Sequence, residues 1–397
     1  MCAHRATRST WGALAASLRI EVLTSLADVH PAMWNALVGA DDPFLEHEFL
    51  ASLEASRVIG RDTAWEMRFV TALDGSTPVA ALPFFLKWDS YGEFVFDWAW
   101  AEAYQRAGMR YYPKLVAAAP LTPVAGRRLL GAASDDAILD ALLARADRVA
   151  SEEGASSFHV LFAEPDEVER LAARGYLPRV GYQFHWFNHG YTTFADFLAD
   201  LRSSKRKQIS KERRTVEAQG LEIETVAGDD VRTEHMEALW RFYVDTNERK
   251  WSQAYLERES FLALGERFRH RLVLVLARKD GVVVAGTLNA RKGKALYGRY
   301  WGASGEYPCL HFECCYYRLI DYAIEHGLER VEAGAQGEHK FLRGYVTRPL
   351  MSAHKLLAPG AHSAIAEWLA TERRQILATI DAYNRQSPLK EVRRPVA

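Results

Sequence analysis

The sequence predicts an α/β fold with mixed sheets, built from two copies of one unit. The 397 residues are too many for one core of ordinary size and fit two domains. The composition, 49% apolar and 25% charged, is that of a globular protein. The same order of elements occurs in both halves of the chain: strand, Asp-Gly turn, strand, strand, helix, strand. A tandem duplication is therefore expected.

The first copy begins with the stretch MRFVTALDGSTPVAALPFFLK, which predicts two strands joined at Asp74-Gly75. GEFVFDW predicts a third strand, 101–108 a helix and YYPKLVAAA another strand. The next helix has Ser134 as its N-cap, an acidic first turn and Gly154 as its end. SSFHVLF then predicts a strand.

The second copy repeats this order. RLVLVLARKDGVVVAGTLNA predicts two strands around Asp280-Gly281, and ALYGRYWG and LERVEAG predict two more. Between them one helix ends at Gly327, and its apolar face comprises Phe312, Tyr316, Leu319, Ile320, Ala323 and Ile324. We expect an N-terminal extension over 1–19, a first domain over 20–185, a second over 186–376 and a C-terminal tail over 377–397.

A strongly basic helix is predicted over 194–219, between the copies. From Arg202 to Arg214 it carries seven Lys or Arg and one acid, Glu212. Its apolar stripe comprises Phe194, Phe197, Leu198, Leu201 and Ile209. The charged face is either solvated or a dock for phosphates, and in the second case its first cations, Arg202, Lys205, Arg206 and Lys207, contact the phosphates.

The glycine-rich loop GAQGEHKFLRGY, 334–345, follows a predicted strand, a favoured position for ligands in α/β folds. Lys340 has the positive charge that stabilises an oxyanion. Glu338 or His339 is suited to accept a proton from an attacking amine. Arg343 offers a further cation to an anionic ligand. The alternative is a turn with a solvated lysine.

A second dense region, LYGRYWGASGEYPCLHFECCYY, opens from a strand toward a helix N-terminus, where anions are favoured. Its candidate ligand-binding residues are Arg299, Trp301, His311 and Glu313, although His311 also suits a core. Cys314 and Cys315 are interpreted as small core residues because the spacing provides no partner base.

Aromatic and charged residues also concentrate in the first half, in SYGEFVFDWAWAEAY and YYPKLVAAAPLTPV. Aromatic surfaces with one or two charged residues are typical of clefts for small molecules or peptides, and equally of interdomain packing. The candidate ligand-binding residues here are Tyr91, Asp97, Trp98, Tyr112 and Lys114.

Several classes of function are disfavoured. The H-E-x-x-H spacing is missing around His47, and His185 and His189 fall in strand and turn, so no metal site is expected. No run of apolar residues is long enough to span a bilayer, and no secretory leader is evident. The net charge of −1 argues against wholesale nucleic-acid coating. We expect a cytoplasmic protein.

Taken together, these segments resemble one family. The basic helix LRSSKRKQISKERRTVEAQG, RKWSQAYLERESF, VVVAGTLNARKGKALYGRYWGAS and AIEHGLERVEAGAQGEHKFLRGY are similar to the Fem-like branch of the GNAT acyltransferase superfamily, especially its peptidoglycan biosynthesis or recognition group. The resemblance covers about residues 40–372 and implies two GNAT-like domains.

The resemblance also implies amide formation, in which an amine attacks an activated acyl group. It implies that Lys340-Phe341 assists transfer in the second domain, whose candidate ligand-binding residues then bind the donor. It also implies that the first domain holds the acceptor, an amine-bearing peptide, small molecule or peptidoglycan precursor, which places Tyr91, Asp97, Trp98, Tyr112 and Lys114 at the acceptor. The glycine-rich coenzyme A motif of ordinary GNAT enzymes is missing from GASGEYPCLHFECCYY. The expected donor is thus aminoacyl-tRNA bound through 202–214, or else acyl-CoA, without a tightly bound cofactor. The alternative is a non-catalytic module that recognises a cell-wall precursor or RNA.

Overall fold

The computed structural model of the protein describes residues 18–40, 42–249, 254–334 and 337–390. The chain forms two compact units. Unit 1 comprises the described residues up to Val180 and the later segment Met351–Glu372. Unit 2 comprises Gly181–Leu350 and the described residues from Arg373 onward. Most of the expected extension over 1–19 lies outside the described residues.

Unit 1 is built on a mixed sheet. Its strands are β1 (Arg19–Leu23), β2 (Glu66–Asp74), β3 (Thr77–Lys87), β4 (Lys114–Ala117), β5 (Leu130–Gly131), β6 (Ser157–Ala163) and the second part of β13 (Val346–Leu356). The order is β1-β2-β3-β4-β6-β13, with β5 beside β3. β4 and β6 are parallel, whereas β13 runs antiparallel to β6.

The helices of unit 1 are α1 (Pro31–Asn35), α2 (His47–Ala55), α3 (Trp98–Arg106), α4 (Asp136–Glu153) and α5 (Pro165–Ala172). The apolar face of α4 packs into the main core of this unit with strands β2, β3, β4 and β6. α4 ends at Gly154, as predicted, with a left-handed φ of 65°. Its N-cap is Asp135 rather than Ser134, because Ser134 ends a short 3-10 turn and the Asp135 carboxylate accepts the first free N–H groups.

The prediction of a strand over GEFVFDW is wrong. These residues form a loop that leads into α3. Their alternating pattern does not reflect one buried face, because the polar members Glu93 and Asp97 are themselves buried and bonded to Lys114.

Unit 2 has a similar arrangement. Its strands are β7 (Leu177–Phe187, of which the first residues belong to unit 1), β8 (Glu222–Ala227), β9 (Leu272–Lys279), β10 (Val282–Lys292), β11 (Ala295–Ala303) and β12 (Arg330–Glu332). The order is β7-β12-β11-β10-β9-β8. β11 and β12 are the parallel pair, corresponding to β4 and β6 of unit 1. The predicted turn at Asp280-Gly281 is present, and both residues have positive φ.

The helices of unit 2 are α6 (Phe194–Asp200), α7 (Ser203–Glu217), α8 (Thr233–Arg249), α9 (Arg258–Arg267), α10 (Leu310–Phe312) and α11 (Arg318–Glu325). A π-helical turn over Glu313–Tyr317 joins the last two. α12 (Pro359–Arg385) begins in unit 1 and ends in unit 2. In the described part of the chain, no helix combines the length and the apolar composition that a membrane span requires.

Two expectations about this part of the chain differ from the structure. The helix predicted over 194–219 is interrupted between α6 and α7, because Leu201 is extended and pairs with Leu389. Residues 351–372, expected in the second domain, belong to unit 1 because β13 pairs with β6. The expected tail over 377–397 is helical up to Arg385.

Candidate functional site

The loop after β12 in unit 2 buries a lysine. Lys340 is 3% exposed, on a 3-10 turn over Glu338–Arg343, and its Nζ donates to the Gly334 carbonyl oxygen at 2.7 Å. Burial lowers the pKa of Lys340 to about 8. The following residue, Phe341, packs against Phe184 and Tyr383 in the core and so anchors the turn.

His339 faces the aromatic side of this loop. Its Nε2 lies 2.8 Å from the Tyr316 hydroxyl, and burial followed by the charges of Arg343 and Lys340 lowers its pKa. The imidazole is therefore neutral at pH 7. The His339 ring lies 5.7 Å from that of His311, which lies 5.4 Å from that of Trp301. The side chain of Glu338 lies outside the described part of the chain.

Arg343 is engaged within unit 2. Its guanidinium donates to both Glu212 carboxylate oxygens, at 3.2 and 2.8 Å, and to the His339 carbonyl oxygen at 2.8 Å. It also lies over the ring of Phe312, 3.4 Å from the centroid. Glu212, the one acid of the basic segment, thus connects α7 to the Lys340 loop.

A pocket of about 530 Å³ lies next to His311 in unit 2. Its lining residues come from the end of α8, the end of β11 and the segment that follows: Thr246, Arg249, Trp301, Ala303, Gly305, Glu306, Tyr307, Pro308 and His311. The sequence-predicted residues Trp301 and His311 therefore share one pocket, and the His311 ring connects it to His339.

The remaining predicted donor residues are distributed around this region. Arg299 is the extra residue of a β-bulge in β11, and burial lowers its pKa. Glu313 is buried in ion pairs with Arg213 and Arg318, each at 3.0 Å, and burial raises its pKa. On the basic segment, Arg202 and Lys207 are exposed and Lys205 and Arg206 are half-buried.

In unit 1 the predicted acceptor residues do come together. Lys114, at the start of β4, is fully buried and donates to Ser90 Oγ at 2.7 Å, Glu93 Oε2 at 2.9 Å and Asp97 Oδ2 at 2.5 Å. Tyr112 contacts Ser90 through its hydroxyl at 2.8 Å. Tyr91 and Trp98 lie at the surface, 48% and 41% exposed, with ring centroids 5.1 Å apart.

A buried polar chain extends from this cluster across β6 to β13. The Tyr111 hydroxyl donates to Asp97 at 2.6 Å and lies 3.4 Å from His159 Nε2. His159 Nδ1 and His354 Nδ1 are 2.7 Å apart, and burial lowers the pKa of both imidazoles well below its usual value. His354 Nε2 is buried without a hydrogen-bond partner among the described residues.

Sequence reasoning missed Glu93, Tyr111, His159 and His354 in unit 1, and Glu212 as a structural link in unit 2. Glu93 lies in a stretch whose sequence pattern is typical of a strand. His159 and His354 are 195 positions apart and meet only because β13 returns to β6, a pairing for which the sequence carries no local signal.

Comparison with solved structures places this fold among known ones. FemX is 13% identical, with a TM-score of 0.53 over 87% of this chain and 100% of FemX. The C-terminal domain of a putative lysylphosphatidylglycerol synthetase from Agrobacterium fabrum is 12% identical, with a TM-score of 0.52 over 84% of this chain and 94% of that domain. No curated protein matches the chain. The predicted mixed α/β fold is confirmed by this likeness.

The sequence also matches a family model over residues 25–391, nearly the whole chain. That family is described as peptidoglycan biosynthesis/recognition, in agreement with the resemblance found in the sequence. The chain therefore belongs to the FemAB-like family of peptidoglycan biosynthesis and recognition proteins.

Proposed function

We propose that this protein transfers an aminoacyl or acyl group to an amine and so forms an amide. The observation that carries the proposal is Lys340, a buried lysine with a lowered pKa on a glycine-rich loop at the carboxyl end of β12. Perturbed ionisable groups of this kind concentrate where chemistry occurs. Membership of the FemAB-like family and the likeness of the fold to FemX support an acyltransferase-type role.

Lys340 supplies positive charge to the oxygen that becomes an oxyanion. When the amine nitrogen attacks the acyl carbon, the C–N bond forms and the carbonyl π electrons move onto oxygen. With a pKa of about 8, Lys340 remains mostly protonated at pH 7. Among the described residues its Nζ donates only to Gly334, which leaves N–H groups for the oxyanion. Collapse of the intermediate returns these electrons to the C=O bond and expels the leaving oxygen or sulfur, which takes up the proton that the amine has lost.

The attacking amine loses a proton, which His339 or Glu338 accepts. A lowered pKa makes His339 neutral and able to act as a base near pH 7. An amine that arrives unprotonated still releases a proton after attack. The role of His339 as proton acceptor is therefore separable from the electrostatic role of Lys340 by comparing acceptors of different basicity.

We propose aminoacyl-tRNA as the donor and acyl-CoA as the alternative. The exposed cations of the basic segment support a polyanionic donor. The pocket beside His311, with its aromatic walls and Arg249, has room for the end of the donor. In unit 1 the cluster around Lys114 supports the assignment of the acceptor to Tyr91, Asp97, Trp98, Tyr112 and Lys114.

The test is transfer by the purified protein from labelled aminoacyl-tRNA or acyl-CoA to a panel of amines, with and without ribonuclease. We expect ribonuclease-sensitive amide formation that falls at least about 100-fold in Lys340→Ala. The exposed Lys279→Ala is the matched control and should retain full activity. Unchanged transfer activity in Lys340→Ala contradicts the catalytic role of this residue. Binding of tRNA and acceptor without transfer from any donor favours a recognition module instead.

A further inference from the structure

Tyr316 and His339 share one hydrogen bond in unit 2, and the direction of that bond decides what His339 can do. The Tyr316 hydroxyl oxygen lies 2.8 Å from His339 Nε2. A neutral imidazole has one N–H and one lone pair, on different nitrogens. Nε2 therefore either accepts the tyrosine proton or donates its own proton to the tyrosine oxygen, and each case fixes the state of Nδ1.

The surroundings of Tyr316 select the first case. Tyr316 is 2% exposed, and its hydroxyl has no hydrogen-bond partner other than His339 among the described residues. If Nε2 carried the ring proton, the tyrosine O–H would be buried without an acceptor, which is destabilising. Burial also raises the pKa of Tyr316, so the hydroxyl keeps its proton at pH 7. The Tyr316 hydroxyl therefore donates to Nε2.

The single proton of the His339 ring then lies on Nδ1. The ring is neutral, because burial and the charges of Arg343 and Lys340 lower its pKa. In the described part of the chain Nδ1 has no hydrogen-bond partner, and the His339 side chain is partly exposed. Neutrality makes an imidazole a base only where its lone pair is free, and here that lone pair faces Tyr316. His339 thus presents an N–H to a ligand.

The fold holds the ring in this orientation. Gly337 has a left-handed φ of 114° and lies directly against the ring, since a Cβ at this position would be 2.5 Å from His339 Cε1. The rings of His311 and Phe312 lie 5.7 and 6.0 Å away. Tyr316 itself belongs to the π-helical turn before α11, and such turns occur frequently at functional sites. Nε2 is therefore kept towards Tyr316.

We propose that Tyr316 is a positioning residue, whose hydroxyl holds His339 in the Nδ1–H tautomer, and that His339 donates this N–H to an oxygen of the acyl donor. His339 directly precedes Lys340 and adjoins His311, which lines the pocket in unit 2. Because the lone pair of His339 is occupied, Glu338 is left as the acceptor of the amine proton. The use of the N–H rests on the proposed function, whereas the tautomer does not.

The first experiment measures the tautomer directly, by NMR of the full chain with 15N in its histidine rings at pH 7. The signals of His339 are assigned as those that disappear in His339→Asn. We expect a protonated Nδ1 and an unprotonated Nε2 in the unmodified protein. Tyr316→Phe removes the donor to Nε2, so the Nε2–H tautomer should become populated. A protonated Nε2 in the unmodified protein overturns the proposal, even if Tyr316→Phe does not fold.

Tyr345→Phe is the matched control. Tyr345 is buried, its ring lies 5.5 Å from that of Tyr316, and its hydroxyl has no hydrogen-bond partner among the described residues. Loss of this hydroxyl should leave the His339 signals unchanged. An equal change in both variants would attribute the shift to altered packing, and an unchanged tautomer in Tyr316→Phe would show that its hydroxyl does not set the ring proton. Either result contradicts the positioning role.

Transfer assays test how the N–H is used. Asparagine offers an amide N–H near the position of Nδ1–H but does not accept a proton, whereas alanine offers neither. We expect His339→Asn to keep kcat within about tenfold of the unmodified protein, and His339→Ala to lower kcat about 100-fold. A large and equal loss in both variants would identify His339 as the base and overturn its role as a donor.

The two experiments keep this inference separate from the proposed function, because the NMR measurement needs no catalysis. An Nδ1–H tautomer that depends on Tyr316, in a chain without transfer activity, contradicts the proposed function and leaves the positioning of His339 standing. Transfer activity in a chain whose His339 carries its proton on Nε2 does the opposite.

Discussion

Single residues show how far chemistry can be predicted from sequence. Lys340 was predicted because a lysine among glycines after a strand is visible in the chain. Lys114 and Asp97 were predicted from composition and position. Their partner Glu93 was not, because its role depends on burial and on a lysine 21 positions away. The signal that could have found it is an acid in an otherwise apolar stretch, which needs a buried partner.

The pH dependence of transfer tests the state in which Lys340 acts. Its charged form is present below the pKa of about 8 and is lost as the pH rises through that value. A lysine that stabilises an oxyanion therefore predicts that kcat falls above pH 8, whereas a lysine that acts as a base predicts a rise. The assay should use hydroxylamine, a weakly basic acceptor that is neutral over this range.

Lys340→Arg separates charge from titration. Arginine keeps the positive charge at all these pH values, so the fall above pH 8 should disappear even if total activity is lower. A fall that persists in Lys340→Arg assigns the titration to another group and contradicts this interpretation.

Elements were predicted well where the pattern is local and poorly where tertiary contacts decide. The Asp280-Gly281 turn and the α4 terminus at Gly154 have the backbone conformations that their residues favour. The interruption between α6 and α7 has no such local signal, because it depends on pairing of Leu201 with Leu389. This interruption separates the apolar α6 from the basic α7.

Within α7, Glu212 holds the loop that carries Lys340. It accepts two hydrogen bonds from Arg343 and one from the Tyr317 hydroxyl, while Arg343 also holds the His339 carbonyl. We expect Glu212→Gln to lower kcat about tenfold with little change in the KM for the donor, because the loop loses its fixed position but the exposed cations remain.

Glu217→Gln, at an exposed acid near the end of the same helix, is the control for removal of one negative charge. A change in KM alone, equal in Glu212→Gln and Glu217→Gln, would indicate simple electrostatics along α7 and would refute the positioning role.

At the scale of the whole molecule, the net charge of −1 conceals a local basic face. Lys207, Lys211 and Arg214 are exposed and follow one side of α7 at helical spacing. Ile209 and Val216 are buried, and Arg213 bonds to Glu313 and Asp321. The fold thus divides the cations of α7 into structural and exposed sets, a division that composition alone cannot reveal.

Binding of tRNA should depend on the exposed set through counterion release. Each phosphate contact contributes about 0.7–0.9 to the slope of log Kobs against log salt concentration. Replacement of Lys207, Lys211 and Arg214 by Gln should lower the magnitude of that slope by about 2 and weaken binding at low salt. A control that replaces three exposed cations on other elements, Arg267, Arg269 and Lys279, removes the same charge. Equal loss of tRNA binding in both triple variants would show that total charge, rather than the face of α7, attracts the donor. Loss of tRNA binding confined to the α7 variant, together with unchanged acyl-CoA binding, identifies this face as the tRNA contact.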